Sequence, residues 1–134
     1  MYLLDTTTIS DYLKGEKSII KNLHYQNPKD LAISVISQYE IEYGLRKNPS
    51  LRQYFAQQLE ELYDKTNTIE IDSPIAKTAA AIKHQLTCEG KIIAIPDILI
   101  GATALCSQLT VVTSNTKDFL RIDTLQIVDW KKAN

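Results

Sequence analysis

The sequence predicts an α/β fold of three layers, with helices on both faces of a central parallel sheet. Short runs rich in Leu, Ile and Val recur along the chain, as "YLLD", "LAISV", "TVVTS" and "LQIVDW". Between them lie longer segments whose apolar residues return at three- and four-residue steps, the spacing of one helix face. The runs themselves are β-branched and mostly apolar, as suits strands covered on both sides.

Taken in order, "YLLD" is a short buried strand. "TTTISDYLKG" then places Ile9, Tyr12 and Leu13 on one helical face, with Gly15 as a stop. "SIIKNLHYQN" predicts a second helix through Ile19, Ile20 and Leu23, closed by a turn at "NPKD". The strand "LAISV" follows. "ISQYEIEYGLRKN" is a helix whose apolar side is expected to hold Ile36, Tyr39 and Tyr43 with either Ile41 or Gly44, ending before Pro49. In "LRQYFAQQLEELYDK" the residues Leu51, Tyr54, Phe55, Leu59, Leu62 and Tyr63 form one apolar stripe. A brief strand "TIEID" leads to Ser73 and Pro74, expected to cap and start the helix "PIAKTAAAIKHQLTCEG", which Gly90 ends. The helix "DILIGATALCSQ", the strand "TVVTS", a loop or helical turn "NTKDFLRID" and the strand "LQIVDW" complete the chain.

With 134 residues, no linker-like stretch and no internal repeat, the chain is expected to be a single domain spanning 1–134. At 44% hydrophobic and 23% charged residues the composition is that of a globular protein, which excludes a disordered or fibrous chain. No apolar run reaches the ~20 residues of a membrane-spanning helix, and the N-terminus lacks the basic and apolar regions of a secretory signal. The cytoplasm is therefore the expected compartment. A net charge of -1 gives no global attraction to nucleic acid, so any such contact must come from local basic groups. Cys88 and Cys106 have no spacing of the zinc-site kind and read as small core or surface residues.

In an open parallel sheet the functional crevice lies beyond the carboxyl ends of the strands. Four acids fall there: Asp5 after the first strand, Glu40 early in the helix after the second, Asp97 after "IAIP", and Asp118 beyond "TVVTS". Singly, Asp5 and Asp97 suit helix N-caps, Glu40 an exposed helix position and Asp118 a turn. Jointly they are different, because clustered carboxylates repel one another and resist ionising unless a cation compensates them. The windows "YLLDTTTIS" and "AIPDILIGATAL" contain no Lys or Arg, while Thr6, Thr7, Thr113, Ser114 and Asn115 add the oxygen-rich surroundings that hard cations prefer.

"YLLDTTTIS", "ISVISQYEIEYGL", "IPDILIGATAL" and "VVTSNTKDF", in this order, resemble PIN-domain ribonucleases, and among them the VapC-like toxins of toxin-antitoxin pairs. The resemblance runs from Tyr2 to Trp130. It implies a PIN-like α/β/α fold and an endoribonuclease dependent on Mg²⁺ or Mn²⁺, leaving a 5′-phosphate and a 3′-hydroxyl. It carries the family's acids onto Asp5, Glu40, Asp97 and Asp118, and its supporting polar positions onto Thr6, Thr113 and Asn115. It also implies an RNA substrate, a cognate antitoxin as inhibitor and a homodimer. Three positions depart from the family pattern: Thr7 where Asn is frequent, Gly101 where Ala is usual, and Gln108 where Gly often ends the helix.

Asp5 and Asp97 are the expected direct metal ligands, with Glu40 and Asp118 completing the shell and Asn115 or Thr113 orienting a water or carboxylate. Glu42, two residues from Glu40, points to another helix face, and Asp123 is a rival of Asp118 better suited to an exposed turn. His24 and His84 lie on helices away from the strand ends, which argues against a histidine-based ribonuclease. Trp130 reads as a core or edge anchor. Arg46, Lys47, Lys14, Lys17, Lys117 and Arg121 are the candidates for phosphate contacts, although each taken alone reads as a solvated surface residue. The aromatic helices "IEYGL" and "LRQYFAQQLEELY" read either as core or as the lining of a groove for an antitoxin helix. Two alternatives stand beside the toxin: a PIN-like RNA-processing nuclease without an antitoxin, and a noncatalytic module binding RNA or protein.

Overall fold

Alternation of side chains along three central strands sorts the whole core. The computed structural model describes residues 1–132, so Ala133 and Asn134 of the expected domain lie outside the described residues. Strands β1 (Tyr2–Leu4), β2 (Leu31–Ser34), β3 (Asn67–Ile69), β4 (Thr110–Val112) and β5 (Ile127–Val128) form one parallel sheet in the order β3-β2-β1-β4-β5. Leu3, Ala32 and Val111 face one layer; their neighbours Leu4, Ile33 and Val112 face the other. The layer on the Leu3 side is built from α5 (Ser73–Cys88), α6 (Ile95–Ser107) and the short α7 (Thr116–Phe119). The layer on the Leu4 side comes from α1 (Thr6–Leu13), α2 (Lys17–Tyr25), α3 (Val35–Arg46) and α4 (Pro49–Lys65). This is the three-layer parallel α/β/α architecture that the residue pattern predicts. Among the described residues no helix is long and apolar enough to cross a membrane.

The chain runs outward from β1 through β2 to β3, then returns across the sheet to β4 on the other side of β1. The direction of winding reverses between β1 and β4. At such a switch point the loops after neighbouring strands diverge and leave a crevice. Asp5 follows β1 and Thr113 follows β4, so both stand at its mouth.

Several local expectations need correction. Helix α3 buries Ser37 and Ile41, whereas Tyr39 and Tyr43 are 63% and 56% exposed and stack on each other outside, with ring centroids 6.3 Å apart. A tyrosine satisfies an apolar periodicity yet tolerates water at its hydroxyl, so the stripe misassigns the two tyrosines, while Ile41, also expected on that side, is buried. Likewise Leu51 and Tyr54 of α4 are exposed, and Leu59 and Leu62 carry its packing. Helix α5 is capped by Asp72, whose carboxylate accepts the Ile75 N–H at 3.0 Å, and Ser73 is its first residue. Helix α6 starts at Ile95 with Pro96 in its first turn, two residues ahead of the expected Asp97.

Gln108 ends α6 in the left-handed region, φ 56° and ψ 48°. Its N–H donates to Leu105 O at 3.4 Å and the Leu109 N–H to Ala104 O at 2.9 Å, the paired bonds of a Schellman motif. Only glycine takes this conformation without a Cβ penalty. Gln108→Gly is expected to stabilise the protein by about 0.5–1 kcal/mol in urea unfolding; a destabilised variant would show that the glutamine side chain makes compensating contacts.

Candidate active site

Each of the four acids is placed by a different element, and all converge on the crevice. Asp5 is 2% exposed and caps α1, its Oδ1 accepting the Thr8 N–H at 2.8 Å. Thr7 donates its hydroxyl to the same carboxylate, 2.9 and 3.0 Å from its two oxygens. Burial raises the Asp5 carboxyl above its ordinary value, and the Thr113 hydroxyl, the Thr8 N–H and the Thr7 hydroxyl partly offset it. Asp5 therefore serves as a helix cap and as a member of the crevice at once.

Glu40, half-buried on α3, accepts the Thr6 hydroxyl at 2.6 Å. Asp97 occupies the third position of α6 rather than its cap, which is Ala94. Its carboxyl is pushed up to about 6, first by burial and then by the negative charges of Glu40, Asp5 and Asp118. That electrostatic effect ties the four acids to one locality. Asn115 lies between two of them, its Nδ2 3.4 Å from Asp97 Oδ2 and 3.2 Å from Asp118 Oδ2. Thr113 accepts the Asn115 N–H at 2.9 Å and so holds this loop against β4. The cationic partner seen at the acids is Arg121, a distant 3.9 Å from Asp118 and half-exposed; such a pair contributes little.

Among the described residues no three His, Cys, Asp or Glu side chains stand in an arrangement that could hold a metal ion as they are placed. Each acid is instead held by hydrogen bonds of its own. Thr6 holds Glu40, Thr7 and Thr8 hold Asp5, and Asn115 bridges Asp97 and Asp118. The donor chemistry nonetheless fits a hard divalent cation: carboxylate, hydroxyl and amide oxygens, with no imidazole or thiol among them.

The rivals fall elsewhere. Glu42 is engaged by Arg52 at 2.8 and 2.9 Å, and Asp123 accepts from Gln85 at 2.6 Å on the surface. Trp130 is 8% exposed and packs edge-on to Tyr2, 5.2 Å between centroids, as the anchor expected. Of the expected basic groups, Lys14 lines a groove with Thr6 and Glu40, while Lys47 lies over the Tyr43 ring at 4.6 Å. Both cysteines are exposed and free. The histidine and cysteine spacing did contain one pair: His84 Nε2 lies 3.8 Å from Cys88 Sγ, one turn apart on α5. Ser37 was missed. It is fully buried three residues before Glu40, on the same side of α3, and bonds to Thr6 at 3.2 Å; the i,i+3 spacing was its available signal.

The double role of Asp5 makes a separable prediction. In chelator, Asp5→Asn keeps an acceptor for Thr8 and removes a buried charge, so thermal stability is expected to hold or rise. Asp5→Ala loses the cap and is expected to cost about 1–2 kcal/mol. Equal losses in both variants would mean that the charge itself stabilises the fold.

A family profile described as PIN domain matches residues 2–125. Ribonuclease VapC2 of Haemophilus influenzae is 27% identical over 129 residues, covering 96% of this chain and 97% of that protein. The tRNA(fMet)-specific endonuclease VapC of Shigella flexneri is 24% identical over the same coverage. Among solved structures, FitAcB from Neisseria gonorrhoeae superposes with a TM-score of 0.88 at 27% identity, covering 99% of this chain and 100% of that one. VapBC2 from Rickettsia felis, bound to a DNA fragment from its promoter, gives 0.87 at 27% identity, with 96% and 98% covered. With the profile spanning all four acids and the same sheet and helix layers recurring in these structures, the chain belongs to the PIN domain family.

Proposed function

We propose that this chain is a single-domain, Mg²⁺- or Mn²⁺-dependent endoribonuclease, a VapC-like toxin restrained by a cognate antitoxin. The observation that carries the reading is the placement of Asp5, Glu40, Asp97 and Asp118 at one crevice, with Asn115 bridging Asp97 and Asp118 and like charges that a divalent cation would compensate. Relatives named as ribonucleases, and the solved neighbours that are toxin-antitoxin complexes, support it.

Asp5 and Asp97 would hold the ion directly, with Glu40 and Asp118 completing its shell. A bound Mg²⁺ or Mn²⁺ would supply an acidified water and charge neutralisation at the scissile phosphate. Hydrolysis joins the water oxygen to phosphorus, breaks the P–O3′ bond and returns a proton to O3′. Asn115 fixes the directions of Asp97 and Asp118, and Thr113 fixes Asn115. Lys14, which shares a groove with Glu40, and Arg121, 3.9 Å from Asp118, would take flanking RNA phosphates.

A groove of about 310 Å³ between α1, α3 and α4 is lined by Leu13, Ile41, Leu45, Leu51 and Phe55 together with Glu40. An amphipathic antitoxin helix would lie there, its basic residue reaching Glu40. The exposed Tyr39 and Tyr43 offer apolar surface to a second copy, and light scattering of the purified chain tests the homodimer.

The deciding experiment is cleavage of total RNA by purified protein with Mn²⁺ or Mg²⁺, and with chelator, beside an Asp97→Asn control. Discrete fragments that require both metal and Asp97 are expected. Cleavage that survives chelator, or the Asn variant, would overturn the reading.

A further inference from the structure

Thr6 has one hydroxyl proton and two near oxygens. Glu40 Oε1 lies 2.6 Å away and Ser37 Oγ 3.2 Å away. A carboxylate can only accept, and 2.6 Å is the length of a charge-assisted O–H···O⁻ bond, so the Thr6 proton is committed to Glu40. Ser37 must then be the donor toward Thr6. Its side chain is 0% exposed, and among the described residues its hydroxyl has Thr6 as its one hydrogen-bond partner.

We propose that Ser37 is a positioning residue, acting through Thr6 to fix the direction in which Glu40 presents its carboxylate to the crevice. The proposal rests on Glu40 being a carboxylate of the active site. Two elements are locked by this relay: Ser37 and Glu40 share α3, one turn apart, while Thr6 opens α1 immediately after Asp5. With Oε1 bonded to Thr6, the orientation of the Glu40 carboxylate follows where Thr6 stands. The relay couples the placement of Glu40 to that of the chain bearing Asp5.

The companion arrangement at Asp5 shows why burial matters. Ser114 lies 3.4 Å from Thr7, and Thr7 donates to Asp5, but Ser114 and Thr7 are both exposed. Water can replace Ser114 there. It cannot reach Ser37, so no solvent molecule substitutes for that hydroxyl when it is removed.

The test is a double-mutant cycle on the full chain, with Mn²⁺ binding followed by electron paramagnetic resonance. Ser37→Ala is expected to weaken binding roughly 10-fold, the usual effect of removing an outer partner of a ligand. In the Glu40→Gln background the same change should alter binding by less than about twofold, because the group it orients is already lost. Equal losses in both backgrounds, or none in either, would overturn the proposal. A crystal structure of the metal-free Ser37→Ala protein supplies the second readout: Glu40 turned away from Thr6 supports the relay, and an unchanged rotamer refutes it. If the wild-type chain binds no Mn²⁺, the metal reading fails, and the Glu40 rotamer still decides the role of Ser37.

Discussion

Asp97→Asn is expected to abolish RNA cleavage and, in chelator at pH 7, to make the protein more stable. The two effects come from the same lost charge. Cleavage should fall by more than the ~10–100-fold typical of removing a supporting contact, because Asp97 is proposed as a direct ligand. The rise in stability follows from the raised carboxyl of Asp97, which shows that its ionised form is disfavoured where it stands. A displacement from 3.8 to about 6 corresponds to roughly 3 kcal/mol in full, and partial exposure of Asp97 to solvent reduces that to about 1–2 kcal/mol. Urea unfolding in chelator measures it. A variant that still cleaves removes Asp97 from the site; one that cleaves nothing yet gains no stability removes the electrostatic strain.

The pH dependence has a definite sign. Asp97 titrates near 3.8 in the unfolded chain and near 6 in the folded one. Between those values the folded state holds more protons, so stability falls as pH rises. Its contribution is complete below about pH 4 and lost above about pH 6. Asp5, also raised, acts in the same direction. The metal-free wild type is therefore expected to lose stability relative to Asp97→Asn between pH 4 and pH 6, and the two curves should run parallel above it. Added Mn²⁺ should reverse the trend, since a cation and a proton compete for the same oxygens.

The parallel sheet was legible because burial on both faces leaves runs such as "LAISV" with no polar alternation; Asp5, Asp97 and Asp118 stood out because they follow a strand or lie near a helix start, whereas Glu40, inside α3, was picked out only by the resemblance. What distant segments do to one another was not. Nothing near Ser37 announces that Thr6, 31 residues earlier, will meet its hydroxyl. Tyr39 and Tyr43 fit an inward stripe as well as the outward stack they form, since the spacing is the same for both. The start of α6 was misplaced because Asp97 is a good N-cap residue, whereas Ala94, which caps it, offers no side-chain acceptor. Gln108 is the opposite case: a departure from the glycine that often ends this helix in the resembled family, it adopts the left-handed backbone that glycine would favour.

Phe119→Ala is expected to cost about 3–5 kcal/mol, a large share of the ~5–15 kcal/mol that holds a domain of this size. Phe119 is completely buried and closes the core between α6, α7 and the sheet. Its position gives the loss a functional direction. Helix α7 has four residues, far too few to be helical on its own, so packing of Phe119 and nearby Ile122 must hold it in place. Asp118 precedes Phe119, and Asn115 opens the same helix while reaching toward Asp97. Emptying the Phe119 pocket should therefore loosen the Asp118 side of the site before the sheet yields. Amide exchange is expected to accelerate across residues 115–122 more than in β1 and β2, and metal affinity should fall even where the chain remains folded. Phe119→Leu, which refills most of the volume, should restore most of both. Uniform acceleration throughout the chain would show instead that α7 has no separate stability to lose, and that Asp118 is held as firmly as the strand that bears Asp5.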